Sequence, residues 1–181
     1  IKDLIINSKL KVYDIDYIGN FGGLNNYLLD YKDNINFKTT NLNINYNKKN
    51  LIISGDSKYI LSKNENNIKF NLEKINNDYD FDLNIKLDKV KLKINEISYI
   101  KKNNQKANLH VSGKYNLNKN IIFKKILFSE NKNNISLDGI ELNSKFKIIN
   151  FKKAKFNYLT TNNIFNKFDI VFNNSYYTIK G

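Results

Sequence analysis

An all-β, antiparallel fold is what this sequence predicts, and three observations carry the prediction. Apolar and polar residues alternate with a period of two along most of the chain, and helical periodicity is scarce. Clusters of Asn, Lys, Asp and Ser punctuate the alternation at spacings of about 8 to 14 residues, as turns do in an antiparallel β domain. The apolar residues are of the sheet-forming kind: Ile is abundant, 12 Phe and 12 Tyr join it, and there is no Pro to interrupt a ladder.

Taken in order, the first 40 residues read as an irregular start. Within them GGLNNYLLDY sets Leu24, Leu28 and Tyr31 at helical spacing after Gly22 and Gly23, which predicts a short helical connector. Leu42, Ile44 and Tyr46 then alternate with Asn, and Lys48, Lys49 and Asn50 form a turn before LIISGDSKYIL. Ile68, Phe70 and Leu72 make the next strand, and Asn76, Asn77 and Asp78 the next turn.

The stretch YDFDLNIKLDKVKLKI, residues 79–94, follows. Its apolar parity is Tyr79, Phe81, Leu83, Ile85 and Leu87, and after Asp88 and Lys89 it flips to Val90, Leu92 and Ile94. A β-bulge at Asp88 and Lys89 shifts parity in this way, and so does a two-residue hairpin turn. Asp-Lys is poor for that turn, which wants Gly where φ is positive. The reading is therefore one long bent strand that reaches roughly 50 Å.

Lys101 to Lys106 read as a polar turn, after which Leu109, Val111, Tyr115 and Leu117 alternate. Shorter strands are centred on 123–128, 135–137, 142–149 and 154–158, and the last hold Phe168, Ile170 and Phe172, then Tyr177 and Ile179. TTNNIFNKF opens with the capping residues Thr161 and Asn162 and predicts a second short helical connector. A weak echo, ISG at Gly55 and VSG at Gly113, with LDG ending at Gly139 and IKG at Gly181, marks places where a bulge or a close backbone approach tolerates no side chain.

Composition narrows the chemistry. At 181 residues the chain is read as a single β segment, an excerpt of a longer protein whose targeting segment lies elsewhere. Asn is the commonest residue and all 30 basic residues are Lys, which is the codon signature of an AT-rich genome. The absence of Cys excludes a disulfide framework, a thiol nucleophile and a thiolate metal site. The net charge of +13 invites nucleic acid. The Lys residues are scattered along the polar parity, and no Arg is present for bidentate contacts, so no nucleic-acid partner is expected. His110 is the only histidine and stands on the polar parity of its strand. With no Cys beside it, it makes neither a zinc site nor a nucleophile's partner. Asp14 with Asp16, and Asp80 with Asp82, can each share a face, but nearby Lys balances them. The expectation is a non-enzymatic chain with no cofactor and no metal.

What remains is the apolar face. A sheet must cover its oily side with a second layer, with itself or with a ligand, and no amphipathic helix is on offer. Phe70, Phe81, Phe128, Phe146, Phe156, Phe168 and Phe172 all fall on it. They suit a packed core or a groove for acyl chains.

The C-terminal third, ISLDGIELNSKFKIINFKKAKFNYLTTNNIFNKFDIVFNNSYYTIKG, resembles the AsmA/TamB-like bacterial envelope proteins. The matching residues are Gly139, Phe151, Phe156, Asn163, Phe168, Tyr177, Ile179 and Gly181. Gly55 and Gly113 also fit, so the resemblance covers residues 41–181. It implies a long antiparallel meander, strongly curled into a U-shaped trough with an apolar concave face. It implies a protein anchored in the inner membrane of Gram-negative bacteria through parts of the chain not present here, and crossing the periplasm. Its partners are phospholipid acyl chains, conducted between inner and outer membranes. The groove lining it implies is Phe70, Leu72, Tyr79, Phe81, Leu83, Ile85, Leu87, Val90, Leu92, Ile94, Leu109, Val111, Phe146, Ile148, Phe156, Phe168 and Ile170. The alternative is a structural β-sandwich or solenoid segment of a large envelope or surface protein without lipid cargo.

Overall fold

The computed structural model describes residues 4–19, 26–31, 34–48, 50–61, 63–116, 120–145, 147–173 and 175–181. Among them the chain is all strand, turn and loop, with 3-10 conformation at Asn26 and at Asn95–Ile97 and no α-helix. Fourteen strands form: β1 (Ile6–Ile18), β2 (Asn34–Tyr46), β3 (Asn50–Ile60), β4 (Glu65–Ile75), β5 (Asp78–Lys86), β6 (Leu92–Ile94), β7 (Tyr99–Lys101), β8 (Ala107–Asn116), β9 (Ile121–Glu130), β10 (Asn133–Leu142), β11 (Ile148–Asn150), β12 (Lys153–Leu159), β13 (Phe165–Asn173) and β14 (Tyr176–Lys180).

Twelve strands make one antiparallel sheet, a meander in the order β1-β2-β3-β4-β5-β8-β9-β10-β12-β13-β14, with β11 paired to β10. Successive strands along this path pair in space, most of them across short turns. Asn76 and Asn131 turn the β4–β5 and β9–β10 hairpins at φ of 57° and 51°, a conformation that Asn tolerates better than other residues with a side chain. Part of the Asn content is thus turn chemistry. The sheet is neither closed nor strongly curled. The curled trough expected from the resemblance goes further than this open meander does.

The long ribbon does not form. β5 ends at Lys86, Asp88 and Lys89 lie in a turn, and the chain leaves the main sheet. Residues 87–106 build a small excursion in which β6 and β7 form their own two-stranded sheet, Leu92 opposite Lys101. The chain then re-enters the sheet, where β8 takes the place beside β5, with Lys86 opposite Asn108. A local reason is visible: the Asp88 carboxylate accepts from the Ala107 N–H at 2.9 Å, closing the base of the excursion.

Three smaller expectations also change. The irregular start contains β1 and the first half of β2, twelve paired positions in register. The helix expected after Thr161 is a turn leading straight into β13, whose pairing with β12 overrides the capping signal. The strand expected over 142–149 is mostly turn, with β10 ending at Leu142 and β11 starting at Ile148. The helical spacing at Leu24 begins outside the described residues, and Leu28 makes only an isolated bridge to Leu92.

The buried core is small and sits under the excursion. Leu87, Val90, Tyr99, Ala107, Phe128, Ile135 and Tyr158 form it. Tyr99 meets Phe128 and Tyr158 edge-on, with centroids 5.7 and 6.0 Å apart. The accessible surface is 12144 Å². A compact monomer of 21.3 kDa would expose ~9100 Å². The excess is what a single-layer sheet predicts.

Candidate apolar binding face

Strand pairing puts partners on one face, so the register can be followed across the whole sheet. Leu10 pairs with Leu42, Leu42 with Gly55, Gly55 with Phe70, Phe70 with Leu83 and Leu83 with Val111. Val111 pairs with Ile126, Ile126 with Leu137, Leu137 with Ala154, Ala154 with Ile170 and Ile170 with Ile179. This row crosses all eleven strands of the meander path, from β1 to β14, without one polar residue. At the usual strand spacing it is roughly 48 Å long. The adjacent row on the opposite face runs Lys11, Asn41, Asp56, Lys69, Asn84, His110, Leu127, Ser136, Lys155, Asp169 and Lys180. Only Leu127 in it is apolar. Along these two rows one face is oily and the other wet, and the next row on the oily face carries the buried, hydrogen-bonded Thr40–Ser57 pair between Val12 and Ile68.

Two devices keep the apolar rows in line. Asp14 at φ 48° stands in β1 beside Lys38, where β2 shifts register against β3 between Phe37 and Thr39. Gly139 at φ 67° stands in β10 opposite β9, which shifts register against β8 between Ser112 and Gly113. In each case a residue at positive φ accompanies a bulge, and the apolar parity resumes on the same face beyond it. The Lys38 ammonium lies 2.8 Å from Asp14, and that bond holds its pKa above the usual lysine value.

The glycine echo has one explanation. Gly55 is paired with Phe70 and Gly113 with Phe81, and each ring lies over its glycine. A Cβ at Gly55 would meet Phe70 Cζ at 2.9 Å and the Asn41 carbonyl oxygen at 2.1 Å. At Gly113 it would meet Phe81 Cζ at 2.6 Å and the Ile122 carbonyl oxygen at 2.3 Å. Aromatic cover of a strand glycine pins the register locally.

Of the residues expected to line a groove, Phe70, Leu72, Tyr79, Phe81, Leu83, Ile85, Leu109, Val111, Phe156, Phe168 and Ile170 share this face. All are half-buried. Ile85, Leu109, Phe156 and Phe168 pack against the small core under the excursion, and the others lie on the open part of the face. Leu87 and Val90 are elsewhere, fully buried in the small core. Leu92 and Ile94 belong to β6 and its separate two-stranded sheet. Ile148 lies in β11 and is 66% exposed. Phe146 lies outside the described residues.

The sequence reading missed Lys101, placed in a polar turn and in fact fully buried. Its ammonium donates to the carbonyls of Val90 at 2.9 Å, Lys102 at 3.0 Å and Asp88 at 3.2 Å, tying both ends of the excursion together. Burial lowers its pKa, and the charges of Glu130 and Asp88 pull the other way. Glu130 is buried too and accepts from the Tyr99 hydroxyl and from Asn133 Nδ2 at 2.8 Å. Burial first, then that bond to Glu130, raises the Tyr99 pKa. Tyr59 is raised by burial and by Asp88, and donates to the Lys86 carbonyl at 2.5 Å. The signal for this cluster was weak: Glu130 and Lys101 are ordinary surface residues until a hairpin covers them.

On the polar face His110 lies 2.9 Å from Asp82, and Asp80 sits between Lys114 at 3.5 Å and Lys124 at 3.4 Å. These are cross-strand pairs on a wet surface. Among the described residues no three His, Cys, Asp or Glu side chains converge as metal ligands would. Also among them, no helix is long and apolar enough to cross a membrane.

Fold and face together define a class: a single-layer antiparallel meander with one continuous apolar face, sealed at one end by a strand excursion. No family model matches the chain, and no curated protein or solved structure matches it either.

Proposed function

We propose that the apolar face binds the acyl chains of phospholipids, as a segment of an AsmA-like envelope protein that conducts lipid between the inner and outer membranes. The observation that carries this reading is the eleven-strand apolar row, from Leu10 to Ile179, on a face with no second layer over most of its width. An acyl chain laid along it would be removed from water on one side, at ~0.8 kcal/mol for each CH₂ fully buried. The wet opposite face keeps such a strip soluble. The curl into a trough, the periplasmic station and the inner-membrane anchor belong to this same proposal, and rest on the AsmA/TamB resemblance.

Photo-crosslinking tests it. A photoreactive amino acid at Phe70, Phe81 or Leu83 should capture phospholipid from cells, while one at Asp82 or Lys86 on the other face should not. Capture of protein alone from the apolar positions would instead mean that a second layer covers the face, as in a structural envelope segment without lipid cargo.

A further inference from the structure

We propose that a cleft at the capped end of the sheet binds a phosphate ester carried on an apolar body. The cleft has a volume of about 620 Å³ and lies between the excursion, the β9–β10 turn and the β12–β13 connection. That is the size of a small-molecule site. It is separate from the apolar row and does not depend on what that row binds.

The lining has three kinds of group. Lys102 and Lys132 stand exposed at it, and neither has a carboxylate of the described residues within ion-pair distance. The carboxylate in the cleft, Glu130, is only 3% exposed and already holds Tyr99 and Asn133, so it presents little free charge. The side chains of Asn131, Asn163 and Thr161 make no hydrogen bond within the described protein and supply neutral donors. Ile100, Leu159 and Phe165 supply the greasy wall, and each is well exposed.

The frame around these groups is fixed before any ligand arrives. The Thr161 N–H donates to the Ser98 carbonyl at 2.9 Å, joining the β12–β13 connection to the excursion. The Leu159 N–H donates to Asn133 Oδ1 at 3.0 Å, joining it to β10. Two exposed ammonium groups with amide and hydroxyl donors suit the several acceptor oxygens of a phosphate. The exposed wall suits an attached hydrocarbon. A free inorganic anion would use only half of the site, and so would a neutral lipid tail.

The test is calorimetric titration of the full chain at low salt with hexyl phosphate, dihexanoyl phosphatidic acid and inorganic phosphate. At least one of the two amphiphiles should bind, and at least tenfold more tightly than inorganic phosphate does. Binding of dihexanoyl phosphatidic acid over hexyl phosphate identifies a lipid headgroup as the natural source, and the reverse order a smaller phosphate ester. Lys102→Glu and Lys132→Glu should each weaken binding about tenfold, since each reverses a charge beside the phosphate. Both side chains are exposed, so the variants should fold. Phe81→Asp, on the separate apolar face, should leave the affinity unchanged. The proposal is overturned if neither amphiphile binds, if inorganic phosphate binds as tightly as they do, or if the charge reversals have no effect. Loss of binding in Phe81→Asp alone would place the ligand on the apolar face and overturn it as well.

Discussion

Phe128 and Phe81 lie on the same face of the same sheet, two strands apart, and have different surroundings. Phe128 is 6% exposed, pressed under Tyr99 of the excursion. Phe81 is half-buried, resting on Gly113 and edge-on to Phe123 at 5.8 Å. Residue type and strand parity are identical. What differs is whether residues 87–106 fold back over the spot. The capped end therefore behaves as a protein core, and the rest of the face as an open apolar surface.

Placing a carboxylate at each end is the harshest test of that contrast. Ile135→Asp buries an unpaired charge in the small core and should cost about 4 kcal/mol or more, enough to unfold a marginal domain. Phe81→Asp can turn its carboxylate to water and should cost less than about half as much. Urea denaturation measures both. Equal losses would mean that the open half of the face is packed after all.

Next comes removal of the cap. Leu87 N–H donates to the Ala107 carbonyl at 2.9 Å, so the two residues already close a hairpin. Replacing residues 88–106 by Asn-Gly should leave a direct β5–β8 turn and an intact sheet. Loss of Val90 and Tyr99 from the core should cost on the order of 3 to 5 kcal/mol. A dye that reports apolar surface should brighten as Phe128, Ile135 and Tyr158 are uncovered. Unchanged fluorescence in a folded variant would deny the excursion its covering role.

A milder change targets the tie inside the excursion. Lys101→Met keeps the length of the side chain and strands three carbonyls, at a cost of about 2 kcal/mol. The same cluster sets an alkaline response. Tyr99 and Tyr59 hold their protons in the fold above the ordinary value of 10.0, while the unfolded chain releases them there. Stability from these two is complete below pH 10 and is lost as pH rises above it. Lys101 acts in the opposite sense. Its lowered pKa means that the unfolded chain binds more protons just below 10.5, so stability rises with pH in that window. Tyr99→Phe should blunt the alkaline fall, and Lys101→Met should remove the rise, both followed by thermal melts from pH 8 to 12.

The smallest effect is expected on the wet face. His110→Ala breaks a part-exposed pair with Asp82 and should shift stability by less than about 0.5 kcal/mol. Lipid crosslinking from Phe81 should not change. A large loss there would show that the polar face is coupled to the apolar one.

Alternation by itself determined most strands of the main sheet and the oily character of one side, while β1, the first half of β2 and the short β6, β7 and β11 escaped it. Phe70, Leu72, Phe81, Leu83, Leu109 and Val111 were legible because period two maps directly onto the pleat. The sequence could not tell two parity flips apart. At Asp14 the flip is a positive-φ kink inside β1, which stays in register with β2 beside the point where β2 shifts against β3. At Asp88 the same kind of flip is the point where the chain leaves the sheet. A kink inside a strand survives where the neighbouring strand offers a matching irregularity. A departure wins where the far end, here Ala107, returns to close a turn and the excursion finds apolar surface to cover. Both conditions lie in residues distant along the chain. So the burial of Lys101, the closing of one end of the face and the cleft beside it were decided only in the tertiary structure.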